Sequence, residues 1–210
     1  MIISYSRKFI FIRTRKTASA TIENILRSNL AAQDICVSHK KLVDSQTRTE
    51  IGMQGESVAG HMTLGEIVPL VSLEFWNESF KFSCERHPYE KAVSLAHFNW
   101  LRGENRGKSR DVEFNEYLDR TVRQGSYRGF DHYSIGGKVA VDDFIRFETL
   151  IEDLRRIGEY LGISVPAELP QKKVGKRKDQ RPAQEVLSNE QRQIVYNHCR
   201  EEFELFGYAP

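Results

Sequence analysis

Read for its apolar and polar positions, the chain repeats one arrangement: a strand-sized apolar run, a polar corner, then a segment with helical spacing. Phe9-Ile10-Phe11-Ile12 has the length and the β-branched, aromatic content of a buried strand. The polar run Arg13 to Thr21 follows, and over Ala20 to Ala32 the residues Ile22, Ile25, Leu26 and Leu30 recur with helical period. Glu56 to Met62 reads as a short strand ending at His61. Thr63 then caps a helix running through Leu73, with Glu66 completing its first turn. Phe80 to Cys84 alternates as a strand, and Pro88 sits where the first turn of a helix over Tyr89 to Trp100 tolerates it.

The second half continues with a helix from about Glu113 to Val122, a strand over Val139 to Phe147, and a helix over Leu150 to Leu161 closed by Gly162. Ser188 caps the last helix, with Gln191 completing a capping box and Ile194, Val195, Cys199 and Phe203 on its apolar side. Ser38 to Gly55 is polar and without period, a loop holding one short element. Gly103 to Ser109 and the glycine- and aromatic-rich stretch Gln124 to Lys138 read as loops. Repeated strand-helix units predict an α/β fold with a mainly parallel central sheet flanked by helices, in which ligands sit beyond the carboxyl ends of strands. No repeat or second domain is visible, so the expectation is a single domain over residues 1–210.

Composition narrows the class. Hydrophobic content of 40% and charged content of 29% describe a globular protein, and a net charge of +2 does not by itself call for a polyanionic partner. Three widely spaced cysteines form neither a metal pattern nor a disulfide framework, which points to a reducing, cytoplasmic setting. Met1 to Lys16 holds only short apolar runs, too little for a signal peptide or a membrane span. The short stretch before the first strand leads to the expectation of a soluble, bacterial-type enzyme without an anchor.

The corner after Phe9 to Ile12 carries the first candidate chemistry. A helix start offers unpaired N–H groups and the positive end of the helix dipole, and Lys16 with the hydroxyls of Thr17, Ser19 and Thr21 adds donors there. Lys16-Thr17 fits the nucleotide P-loop, but Ile10 and Arg15 stand at its glycine positions. From these residues alone, a phosphate seat and an ordinary polar helix cap both remain open. At the second corner, Arg86 can grip a phosphate with a bidentate fork, and Ser94 lies about two helical turns further on. A surface ion pair and a backbone-bonded serine are the plain alternatives.

Arg13-Thr14-Arg15-Lys16-Thr17-Ala18-Ser19 resembles the 5'-phosphosulfate loop of sulfotransferases that use 3'-phosphoadenylyl sulfate (PAPS), in the carbohydrate branch that includes heparan sulfate 2-O-sulfotransferase. Arg86-His87-Pro88-Tyr89 with Ser94 resembles the 3'-phosphate motif of the same family. Phe144 to Glu148 and Phe203 to Tyr208 are also similar to that branch. The resemblance implies a P-loop-like three-layer fold. It implies PAPS as donor, adenosine 3',5'-bisphosphate (PAP) as product and no metal requirement. Arg15, Lys16, Thr17, Ala18, Ser19, Ala20 and Thr21 would hold the 5' end, and Arg86 and Ser94 the 3' end. At Ala20 relatives commonly carry a second hydroxyl residue. The basic run Lys172 to Arg181 sits where relatives close a loop over the nucleotide.

Sulfuryl transfer needs in-line positioning and charge stabilisation. Lys16 is the expected stabiliser of the leaving nucleotide. His61 is the expected general base, because it ends a predicted strand and relatives carry a catalytic histidine in a matching Gly-His segment. The acceptor would be a hydroxyl of a carbohydrate or other small alcohol: a polysaccharide would suit an open groove lined by Trp100, Tyr127, Arg128 and Tyr133, a small alcohol, lipid or peptide would suit a closed pocket, and the aromatics of Gln124 to Lys138 are equally suited to anchor a surface loop. Two rival readings are kept. A P-loop-type kinase or NTPase would need an acidic metal ligand after a strand, whereas Asp142 and Asp143 precede theirs. A nucleic-acid-binding module built on Lys172 to Arg181 ranks third, because that run lacks interleaved aromatics.

Overall fold

The structure, a computed structural model, describes residues 1–38, 41–44, 61–104, 113–169 and 181–210. In chain order its first elements are β1 (Ile2–Ser4), β2 (Phe9–Ile12), α1 (Ser19–Arg27), β3 (Ile35–Ser38), β4 (Lys41–Asp44), α2 (Leu64–Ile67), α3 (Leu73–Glu78) and β5 (Phe80–Glu85). Then come α4 (Pro88–Glu104), α5 (Phe114–Gln124), α6 (Phe130–Tyr133), β6 (Ser134–Ile135), β7 (Lys138–Val139), β8 (Asp143–Arg146) and α7 (Leu150–Leu161). The last are α8 (Ala183–Val186), α9 (Asn189–His198) and α10 (Arg200–Phe206). The chain forms two compact units, one of residues 1–85 with 131–170, the other of residues 86–130 with 171–210.

The first unit is an α/β sandwich. Among the described residues its main sheet has six strands in the order β4-β3-β1-β2-β5-β8. Side chains of β2 alternate between two cores, as a two-residue period requires. Phe9 and Phe11 join Phe82, Cys84 and Ile145 against Ile22, Ile25 and Leu26 of α1 and Leu154, Ile157 and Leu161 of α7. Ile10 and Ile12 join Ile3 and Val37 against Met62, Leu64 and Ile67. Helices therefore cover both faces, and β2, buried on both, reads as a continuous apolar run.

Only half of the sheet is parallel. β2, β5 and β8 are parallel neighbours. β1 pairs antiparallel with both β2 and β3, and β3 pairs antiparallel with β4. The expectation of a mainly parallel sheet holds for the half that carries the two corners and fails for the other. β1, three residues long, is too short to announce itself as a strand, and it turns straight back into β2.

Other boundaries move for local reasons. The helix expected over Thr63 to Leu73 stops at Ile67, because Pro69 forces a single 3-10 turn over Val68–Leu70. The Thr63–Glu66 capping box is present, and Ser72 starts a separate helix by accepting the Phe75 N–H at 3.1 Å. α1 ends at Arg27 rather than Ala32, where the Ser28 hydroxyl and the Asn29 amide both donate to the Ile25 carbonyl, at 2.8 and 3.0 Å. Within Gln124 to Lys138, expected as loop, lie α6 and the β6–β7 hairpin. Gly136 and Gly137 take φ of 58° and 74°, the two positive values that a two-residue hairpin turn needs. The strand expected over Val139 to Phe147 is confined to β8, with Val139 in the hairpin. The strand expected over Glu56 to Met62 lies outside the described residues up to residue 60, and His61 stands in a turn.

The second unit is helical. Tyr89, Ala92, Val93 and Ala96 of α4 pack with Leu118 and Val122 of α5, Val195 of α9 and Phe203 of α10. The capping box of Ser188 with Gln191 starts α9 as expected.

Candidate functional site

The loop from β2 to α1 is shaped by its backbone. Lys16 and Ala18 have φ of 64° and 61°, and Thr17 between them does not share that sign. Left-handed backbone costs an ordinary residue roughly 1–2 kcal/mol. Where such backbone alternates with right-handed backbone, successive N–H groups turn toward one concavity, an anion-binding shape. α1 starts directly from Ala18 without a side-chain cap, and its first turn holds no acidic residue. The helix dipole thus meets no carboxylate from the helix's own first turn.

The hydroxyls expected as anion donors brace this loop. The Thr17 hydroxyl, fully buried, donates to the Thr14 carbonyl at 3.2 Å and lies 3.0 Å from the Cys84 sulfur. Ser19 donates to the same carbonyl at 3.0 Å. The Thr14 hydroxyl donates to the Cys84 carbonyl, tying the loop to the end of β5. Arg15 is exposed, Lys16, Ala18 and Ala20 are half-buried, and Thr21 is buried. The hydroxyls of Thr17 and Ser19 are thus spent on the Thr14 carbonyl rather than turned outward as donors.

Beside the loop, Arg13 is buried, and its guanidinium bonds the buried Glu23 carboxylate. The Arg13 carbonyl lies 3.2 Å from Nδ1 of His61. A carbonyl only accepts, so Nδ1 carries the hydrogen and Nε2 the lone pair. Burial, helped by the positive Arg13, lowers the His61 pKa to about 3, which keeps the ring neutral. The His132 ring is 6.4 Å away. His61 thus lies beside the first residue of the loop, and it ends no described strand. Glu23 escaped notice there. Its signal was an acidic residue adjoining Ile22, on the apolar face of α1.

In the second unit, Arg86 precedes α4 and bonds Glu90 at 3.0 Å, and Glu90 in turn accepts the Ala183 N–H at 2.9 Å. Ser94, half-buried, lies four residues beyond Glu90 on the same side of α4. His87 caps the helix, its Nδ1 accepting the Tyr89 N–H at 3.3 Å while Nε2 donates to the Ala209 carbonyl at 3.2 Å.

Of the four side chains that an open groove would use, two are fully buried and two are engaged within their own unit. Tyr127 is fully buried, donating to the Val122 carbonyl at 3.1 Å, and Tyr133 is fully buried, donating to Glu85 at 3.1 Å. Arg128 pairs with Glu201 at 3.2 Å, and half-buried Trp100 packs on His97 and Phe114. These side chains anchor their own segments. Asp142 accepts the Lys81 N–H at 2.7 Å and Asp143 pairs with Arg156. Both stand at the amino end of β8, whereas the loop leaves the carboxyl end of its parallel neighbourhood. The basic run lies outside the described residues except for Arg181.

Among the described residues, no helix is long and apolar enough to cross a membrane. A search of curated proteins found no significant match. A model of the family described as "Sulfotransferase family" matches residues 1–209, spanning both units and both corners, and the chain belongs to that family.

Proposed function

We propose that the protein transfers a sulfuryl group from PAPS to an acceptor hydroxyl of a carbohydrate or other small alcohol, and that both units form one sulfotransferase domain of the carbohydrate branch. The observation that carries this reading is the loop from Arg15 to Thr21. Its Lys16 and Ala18 backbones, the uncapped start of α1 and an acid-free first turn fit the 5' phosphosulfate end of the nucleotide. Arg86 and Ser94 would hold the 3'-phosphate, with Arg86 shared between that group and Glu90. A cytoplasmic setting is supported by the three cysteines, all buried thiols.

PAPS, when bound, supplies the activated sulfuryl group. Lys16 offsets the negative charge that develops on the departing nucleotide, where a fixed cation acts most strongly. His61 accepts the acceptor's hydroxyl proton at Nε2, the nitrogen that its bond to Arg13 leaves with a lone pair.

Thermal unfolding with added nucleotides tests the reading. PAP should raise the melting temperature without magnesium, and ADP or AMP should do so much less. Equal stabilisation by ATP that depends on magnesium would favour a kinase, and stabilisation by RNA alone would favour a nucleic-acid module.

A further inference from the structure

Glu23, on α1, is 4% exposed. Three basic groups surround its carboxylate: Arg13 from the loop, Arg27 one helical turn on at 3.4 Å, and the Met1 amino terminus at 3.9 Å; Arg27 also donates to the Cys36 sulfur at 3.0 Å. Burying such a pair is costly, and stability alone is a weak reason for it.

Arg13 faces two ways. Its side chain ends on Glu23, and its carbonyl receives Nδ1 of His61 at 3.2 Å. The flanking residues are tied to β5, Ile12 through its carbonyl to the Ser83 hydroxyl at 3.1 Å and Thr14 through its hydroxyl to Cys84. Glu23 adds a tie in another direction, to α1.

We propose that Glu23 is a positioning residue for His61: by anchoring the Arg13 side chain it fixes the Arg13 carbonyl, which holds His61 as the Nδ1–H tautomer with its lone pair on Nε2. A group behind an imidazole that selects one tautomer orients it for proton transfer, and an imidazole not so held populates both forms. The catalytic consequence rests on His61 being the base; the tautomer does not.

The test is a nitrogen-15 spectrum of the histidine side chains, with the His61 signals assigned from their loss in His61→Gln. The parent should show Nδ1 protonated and Nε2 not. Glu23→Gln should shift His61 toward the Nε2–H form. Should Glu23→Gln not fold, Glu23→Asp, which withdraws the carboxylate by one methylene, is read in the same way. A parent with Nε2 protonated, or a folded Glu23 variant with an unshifted tautomer, overturns the proposal.

Turnover gives a separate arm. With PAPS and a hydroxyl acceptor, kcat should fall about tenfold to a hundredfold in Glu23→Gln while PAP affinity stays within about twofold. Unchanged kcat with a shifted tautomer would overturn the catalytic consequence. A protein that transfers no sulfuryl group yet shows the tautomer shift would sink the proposed function and leave the positioning intact.

Discussion

The carbonyl oxygen of Arg13 and the Nδ1 of His61 lie 3.2 Å apart, joining the residue that follows β2 to a ring whose pKa is lowered to about 3. As the proposed base, a ring held neutral so far down loses no activity to its own protonation between pH 5 and 7. Rate profiles over that range should show no acidic limb from His61, and a limb centred near 6.5 that vanishes in His61→Ala would contradict the geometry. The sign for stability follows from the same shift. The unfolded ring binds a proton below 6.5 and the folded one only near 3, so stability is lost as pH falls through that window. His61→Ala should lose less of its melting temperature between pH 7 and 4 than the parent does.

Lys16 and His61 should separate by acceptor. His61→Ala should lower turnover by about 10²- to 10⁴-fold with an alkyl alcohol. A phenol, already acidic, should recover part of that loss. Lys16→Ala should stay slow with both acceptors, because its proposed partner is the leaving nucleotide. Steady-state rates with a paired set of acceptors decide it.

Arg86→Lys and Ser94→Ala should each weaken PAP binding by about 1.5 to 3 kcal/mol, the worth of a hydrogen bond to a charged group. Calorimetric titration reads the loss directly. Because Arg86 also holds Glu90 at 3.0 Å, Arg86→Lys should lower the melting temperature slightly as well, whereas Ser94→Ala should not. A variant that binds PAP like the parent removes its residue from the 3' seat.

Ala18 caps α1 at φ 61°, where β-branching is strongly disfavoured. Ala18→Val should cost about 2 kcal/mol and weaken PAP binding together. Ala18→Gly should leave stability within about 1 kcal/mol, since relief of the backbone offsets the added freedom of the unfolded chain. Denaturant titration of the pair separates backbone strain from loss of the methyl group.

Tyr133→Phe should destabilise by about 1 to 3 kcal/mol, because it removes a donor from the fully buried Glu85 carboxylate. The acceptor KM should not move. A large change in KM with unchanged stability would return Tyr133 to a binding groove.

Local pattern was enough for much of this protein. The run Phe9 to Ile12 had to be a strand buried on both faces, and Gly162 and the Ser188–Gln191 box marked helix ends through chemistry that acts within a few residues. The Lys16 loop was legible for the same reason, since its residues are contiguous. What local pattern could not carry was the antiparallel half of the sheet, because β1 is three residues long and becomes a strand only by pairing with β2 and β3. Tyr127 and Tyr133 looked equally able to line a groove or fill a core, and only packing sent them inward. The inward turn of the Thr17 hydroxyl, the Arg13–Glu23 pair and the tautomer of His61 each depend on groups distant in sequence, Cys84 and α1 among them. Tertiary structure decided these, because a buried polar group takes whichever partner the fold brings within hydrogen-bond reach.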